Sequence, residues 1–181
     1  MSHTSTIRDL FGGAIKVTTP TDLLDASKFR PIPDTQEVFT YSDANTSIIV
    51  EILQMVEQAN NPQEAIKYHF DALAEDNSAS ISTIFEQTEV PNVRGDNTPF
   101  ATILSGEQYI VKFNGQQNDQ VHILMALYRV ERKKVDLVVT FNVPIKAADG
   151  KGVWERGLIQ AKQDFETFVK SLHIVDFGLF V

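Results

Sequence analysis

Apolar and polar positions alternate most strictly in the stretch VDLVVTFNV (135–143), where Val135, Leu137, Val139, Phe141 and Val143 recur at every second position. That is strand periodicity. QVHILMALYRV (120–130) is apolar along most of its length, and the charged link ERKK joins it to the first stretch. The two are predicted to form an antiparallel hairpin. Val138, together with Leu124 and Ala126 of the partner strand, makes the reverse side partly apolar as well. Strands that are apolar on both sides need cover on both sides. Part of that cover is a helix predicted over 154–172, in which Leu158, Ala161, Phe165, Phe168, Val169 and Leu172 follow three/four spacing.

Further strands are predicted at 10–20, 37–41, 47–56, 78–90 and 100–113, with a polar loop over 91–99. In the first of these, Gly12 and Gly13 allow a bulge or a close backbone approach. SDAN (42–45) is turn chemistry, so 37–56 reads as a second hairpin. DASKF (25–29) is predicted as one helical turn capped by Asp25 or Ser27. A second long helix occupies 60–76: Asn61 caps it, Pro62 suits the first helical position and Glu64 lies three residues after the cap. The tail 173–181 is predicted to close the chain as a strand and an extension. The fold class expected is α+β: about six mainly antiparallel strands with helices on both faces, an α/β/α sandwich in one domain spanning 1–181.

Charge narrows the choice of partner. The formal net charge is −8. Residues 1–80 hold twelve acids and five bases, whereas 81–181 hold twelve and eleven, so nearly all the excess lies in the first part of the chain. Nucleic acid, which needs basic surface, is therefore not an expected partner. An acidic patch that steers a basic partner is. There is no cysteine, which removes disulfides, thiolate metal sites and cysteine nucleophiles. No stretch reaches the apolar length of a membrane span, and the N-terminus does not read as a secretory signal.

Catalytic patterns are missing. FGG lacks the lysine and spacing of a phosphate loop, and no G-x-S-x-G elbow occurs; LSGEQ (104–108) fits a hairpin turn instead. His3, His69, His122 and His173 are too far apart in sequence for metal-ligand spacing. No cofactor is expected. YHFD (68–71) makes His69 the one general-base candidate, but a histidine at a helix surface or boundary explains it as well. His122 and His173 fall in predicted strands, where packing accounts for them.

The segment RPIPDTQEVF (30–39) holds Asp34 and Glu37 at the entry to a strand, stiffened by Pro31 and Pro33. Together with LFGGAI (10–15), DASKFRPIPDTQEVF (25–39), SIIVEIL (47–53), VDLVVTFNVP (135–144) and SLHIVDFGLF (171–180), it resembles the Ran guanine-nucleotide release factor, or Mog-type, family over nearly the whole chain. The resemblance implies a fold shared with PsbP-like proteins. It also implies a monomeric, non-catalytic binder of the small GTPase Ran, found in the nucleus and also the cytoplasm, that serves nucleotide release and nuclear protein import. Asp34 and Glu37 match the acidic positions of the family's Ran-binding element, and Asp25 and Glu51 match two further acidic positions. Glu51 shares a strand face with Ile49 and Leu53, which also suits a core-edge acid, and Arg30 is expected to pair with a local carboxylate. Two rival readings are a PsbP-like structural subunit and a small hydrolase using His69 with a convergent carboxylate in a pocket.

Overall fold

The computed structural model describes residues 4–111 and 118–181. The strongest sequence pattern forms its centre. Strands β8 (Asn118–Val130) and β9 (Val135–Lys146) pair antiparallel in the middle of a seven-stranded sheet. With β3 (Leu24–Asp25), β4 (Gln36–Thr40), β5 (Ser47–Gln54), β6 (Ala79–Val90) and β7 (Ala101–Val111), the order is β3-β4-β5-β9-β8-β7-β6, antiparallel throughout. Helix α1 (Pro62–Asp76) covers one face and α2 (Trp154–Ser171) the other.

The α1 face buries Ile66 and Phe70 against Val121, Ile123, Met125, Leu127 and Val138. On the α2 face, Phe165 and Phe168 meet Phe141 edge-on, above Leu137, Val139 and Tyr128. Leu124 and Ala126 belong to this second face, contrary to the sequence expectation. In the β8–β9 register Leu124 lies opposite Phe141 and Ala126 opposite Val139, and directly paired residues share a side. The reverse face takes its apolar side chains from Ile123, Met125 and Leu127 instead.

The first predicted strand is a hairpin. β1 (Ser5–Leu10) and β2 (Ile15–Pro20) are joined by a turn in which Phe11, Gly12 and Gly13 all have positive φ. The two glycines thus serve a chain reversal rather than a bulge. With β10 (His173–Ile174) this hairpin forms a separate three-stranded sheet on the α2 side. The expected helix caps are present: Asn61 Oδ1 accepts the Glu64 N–H, and the Glu64 carboxylate accepts the Asn60 N–H. Residues 112–113, at the end of the strand predicted over 100–113, lie outside the described residues, as does His3.

His69 is not a surface residue. It is buried on α1, and its Nε2 lies 2.9 Å from Oδ2 of Asp136, a fully buried carboxylate on β9. Arg129 on β8 donates to both oxygens of that carboxylate, and the Val56 N–H donates to it as well. Arg129 also donates to the Val56 carbonyl. Burial alone would raise the Asp136 pKa, but the bonds from His69, Arg129 and Val56 outweigh it and hold the carboxyl below its ordinary value. This network ties α1, the exit of β5, β8 and β9 together.

Replacing Asp136 with alanine leaves the Arg129 guanidinium buried and unpaired, so urea denaturation at pH 7 should show a loss of about 3–5 kcal/mol. Because the native pKa is depressed, the carboxylate's contribution is complete above the unfolded value of about 3.9 and is lost as pH falls through the lower native value. The wild-type acid limb should therefore be steeper than that of the variant.

Candidate functional site

The acidic element lies on the segment from β3 to β5. Asp25 ends β3 and caps the 3₁₀ turn Ala26–Lys28: its Oδ1 accepts the Ser27 N–H at 2.9 Å and the Ser27 hydroxyl at 2.6 Å. Of the two caps the sequence offered, Asp25 and Ser27, it is Asp25 that serves. The backbone N–H groups of Phe29 and Arg30 both donate to the Ala26 carbonyl, and the Phe29 ring emerges 75% exposed. Beyond Pro31 and Pro33 the chain turns at Asp34 and Thr35. The Gln36 N–H donates to the Pro33 carbonyl, and the Ile52 N–H of β5 donates to the Thr35 carbonyl, which fastens the loop to the sheet.

The four acids differ in what they already bond. Asp34 is exposed and has no hydrogen-bond or ion-pair partner among the described residues. Glu37, on β4, is half-buried, and its Oε1 accepts the Phe11 N–H at 2.6 Å. Burial raises its pKa, the Phe11 bond lowers it and the nearby Asp25 charge raises it again; the net direction is upward. Glu51, on β5, is half-buried and accepts a 2.7 Å bond from the Gln36 amide.

Register separates these groups. Glu37 pairs with Val50 and Asp25 with Phe39, so both lie on the α2 side. Glu51 pairs with Gln36 and Val138, on the α1 side, as its shared face with Ile49 and Leu53 suggested. Asp34 sits on the turn between them. Asp25, Asp34 and Glu37 thus form one acidic edge, with Glu51 behind it. Arg30 is exposed and makes no ion pair among the described residues, contrary to expectation. Lys28 on the capped turn is exposed as well, and Arg8 approaches from the hairpin, its guanidinium 5.0 Å from the Phe39 ring centroid and donating to Thr19. Nothing in the local sequence pointed to Arg8 or to the Phe11 N–H, because both arrive through the packing of the β1–β2 hairpin. The exposed Phe29 was likewise missed.

Other chemistry does not converge. His69 has a carboxylate partner, yet it lines neither of two clefts of about 360 and 710 Å³. His122 is 2.9 Å from the Ser105 hydroxyl and beneath the Phe85 ring; burial and then Lys162, opposed by Glu107, push its pKa down to about 4. It is therefore neutral near pH 7 and serves packing. His173 stands 3.8 Å from Asp96. Among the described residues no group of three or more histidine, aspartate or glutamate side chains is arranged to hold a metal, and no helix is long and apolar enough to cross a membrane.

Residues 8–144 match the family model described as Mog1, Ran-interacting Mog1 protein. The chain belongs to this family. A Ran guanine nucleotide release factor of Danio rerio is 32% identical over 96% of this chain and 98% of its own. The nuclear import protein MOG1 of Saccharomyces cerevisiae is 28% identical over 95% of this chain and 83% of its own. The crystal structure of the S. cerevisiae Ran-binding protein Mog1p superposes with a TM-score of 0.77 over 99% of this chain and 100% of that one, at 27% identity. A cyanobacterial PsbP from Synechocystis aligns with a TM-score of 0.62 over 96% of this chain and 94% of that one, at 9% identity, which shows a shared fold. Within the Mog1 family, the acidic edge is the candidate site of this chain.

Glu37 and Asp34 should separate in their effect on folding. Glu37→Ala strands the half-buried Phe11 N–H and should lower stability by about 1–2 kcal/mol. Asp34→Ala removes no native bond and should stay within about 0.5 kcal/mol of wild type. Urea midpoints at constant m-value measure both.

Proposed function

We propose that this chain binds the small GTPase Ran through Asp34 and Glu37, supported by Asp25 and Glu51, and promotes release of Ran's guanine nucleotide by stabilising the nucleotide-free form. The observation that carries this reading is Asp34, an uncommitted carboxylate on a proline-stiffened turn, in a chain of the Ran-interacting Mog1 family. A preset loop loses less entropy on docking than a mobile one. Its anions suit lysines or arginines on the partner, and a charged rim speeds association. The role is one of binding, with no bond made or broken by the chain. Residues 1–181 act as one Ran-binding domain, as a monomer, in nuclear protein import, in the nucleus and also in the cytoplasm.

Linkage sets the scale. A protein that binds empty Ran more tightly than loaded Ran weakens nucleotide binding by the same factor, and a coupling of about 3 kcal/mol corresponds to roughly a hundredfold. The test is release of a fluorescent guanine nucleotide from Ran, with wild type and with Asp34→Ala/Glu37→Gln. Glutamine retains an acceptor for the Phe11 N–H, so the fold is kept while both charges go. Release accelerated by wild type and slowed at least tenfold by the double variant supports the reading. Equal release by two folded proteins refutes it.

Association should weaken with added salt. It should also weaken in mild acid: the raised pKa of Glu37 means that this carboxylate takes up its proton at a higher pH than an ordinary glutamate as pH falls. The Glu37→Gln variant should lose that part of the pH dependence, measured as Kd between pH 7.5 and 5.

A further inference from the structure

Glu37 stands near the start of β4. Just past the other end of that strand, Tyr41 lines the cleft of about 710 Å³. Its size falls within the range of small-molecule sites. Two parts of the chain line it. One is the entry to α2, with Lys151 and Arg156. The other is Asp22, just before β3, with Asp43 and Thr46 of the turn between β4 and β5.

The helix entry is electropositive. Val153, at the cap position of α2, has no side chain that could accept a bond. The N–H groups of Trp154, Glu155 and Arg156 have no acceptor among the described residues. An uncapped first turn leaves free donors at the positive end of the helix dipole. Lys151 and Arg156 are exposed, and neither side chain has a hydrogen-bond or ion-pair partner among the described residues. Glu155 lies in the same turn but does not line the cleft. The backbone that carries these groups is fixed. The Lys151 N–H donates to the Asp149 carboxylate and the Val153 N–H to the Pro144 carbonyl, while a Cβ at Gly152 would collide with the Ile145 carbonyl.

The other part of the lining offers acceptors. Thr46 is only 2% exposed, yet its hydroxyl has no hydrogen-bond partner among the described residues. A hydroxyl withdrawn from water without a partner is costly, and this one lines the cleft. The turn that carries it is closed by the Tyr41 N–H, which donates to the Thr46 carbonyl. Asp43 is exposed and unpartnered among the described residues, and Asp22 accepts the Ser42 hydroxyl at 3.1 Å. Neither acid forms an ion pair with Lys151 or Arg156. Charges of both signs therefore line one cleft without neutralising each other. A simple anion would meet the cations but be repelled by the acids, and a simple cation would meet the reverse. A ligand that suits both parts carries an anionic group at the helix entry and neutral donors for the carboxylates. Two carboxylates and a hydroxyl, spread over two segments, suit several hydroxyl groups better than one point charge.

We propose that this cleft binds a small phosphorylated polyol. Its phosphate lies at the uncapped entry of α2 with Lys151 and Arg156. Its hydroxyls donate to Asp22 and Asp43 and meet the Thr46 hydroxyl. The site does not depend on the Ran reading.

The probe is glucose 6-phosphate, titrated into the isotope-labelled full chain while amide chemical shifts are followed. Saturable shifts are expected at 151–157 and 43–46. Lys151→Ala/Arg156→Ala, which changes only exposed side chains, should raise Kd at least tenfold. Glucose and inorganic phosphate should each bind at least tenfold more weakly than the phosphorylated sugar. Thr46→Val keeps the side-chain shape and breaks no native bond; it should raise Kd for glucose 6-phosphate at least threefold and leave that for phosphate unchanged. Asp34→Ala/Glu37→Gln should change Kd less than twofold, which separates this result from the Ran reading. Absence of saturable shifts at millimolar glucose 6-phosphate overturns the proposal. Equal affinity for inorganic phosphate overturns it too, because only charge attraction then remains. Tighter binding of phosphoethanolamine also overturns it and assigns the acids to an ammonium group.

Discussion

The ladder between β8 and β9 is the constraint on which the rest of the molecule depends. Both strands are buried on two faces, so each face must be roofed by an amphipathic helix, and the register decides which side chains each roof meets. It also brings Arg129 opposite Asp136, which sets a charged pair inside this apolar centre. A fully buried carboxylate is tolerable only when its oxygens are satisfied, and here a guanidinium, an imidazole and a backbone N–H satisfy them. The same bonds hold α1 to the sheet, so the network contributes orientation as well as neutralisation.

The acidic edge inherits its geometry from that centre. β5 pairs with β9, β4 pairs with β5, and the Thr35 carbonyl is held by the Ile52 N–H. Asp34 is therefore positioned through a chain of ladder bonds rather than by contacts of its own. Its neighbours divide the work. Asp25 is spent on its cap, Glu51 on Gln36, and Glu37 partly on Phe11. An exposed charge of this kind contributes little to folding stability, about 0–1 kcal/mol even when paired. A charge pair that loses its water at an interface contributes more. Folding cannot account for Asp34 energetically, and an interface can.

What could be read beforehand follows a physical division. Local signals survived: the alternation in 135–143, the Asn61–Pro62–Glu64 helix start and the Asp25 cap all depend on residues within four positions of each other, and all are present in the fold. The sheet class and the resemblance to the Mog-type family were also legible. Signals that needed a partner from elsewhere failed. Leu124 and Ala126 went to the wrong face because that depends on interstrand register. His69 was read as peripheral because Asp136 lies 67 positions away. The Phe11 contact with Glu37 was invisible because the β1–β2 hairpin was read as one strand. The acidic positions came from the family motif rather than from chemistry, and their distribution over two sides of the sheet required the fold.

The central claim is that a G-protein docks on the edge around Asp34. The most direct measurement is amide chemical-shift mapping of the isotope-labelled chain as unlabelled nucleotide-free Ran is added. The account predicts shifts and broadening concentrated in residues 25–37 and the adjoining start of β5, with the amides of β6 unmoved. Perturbations centred on β6 and α2, with 25–37 unchanged, would contradict it.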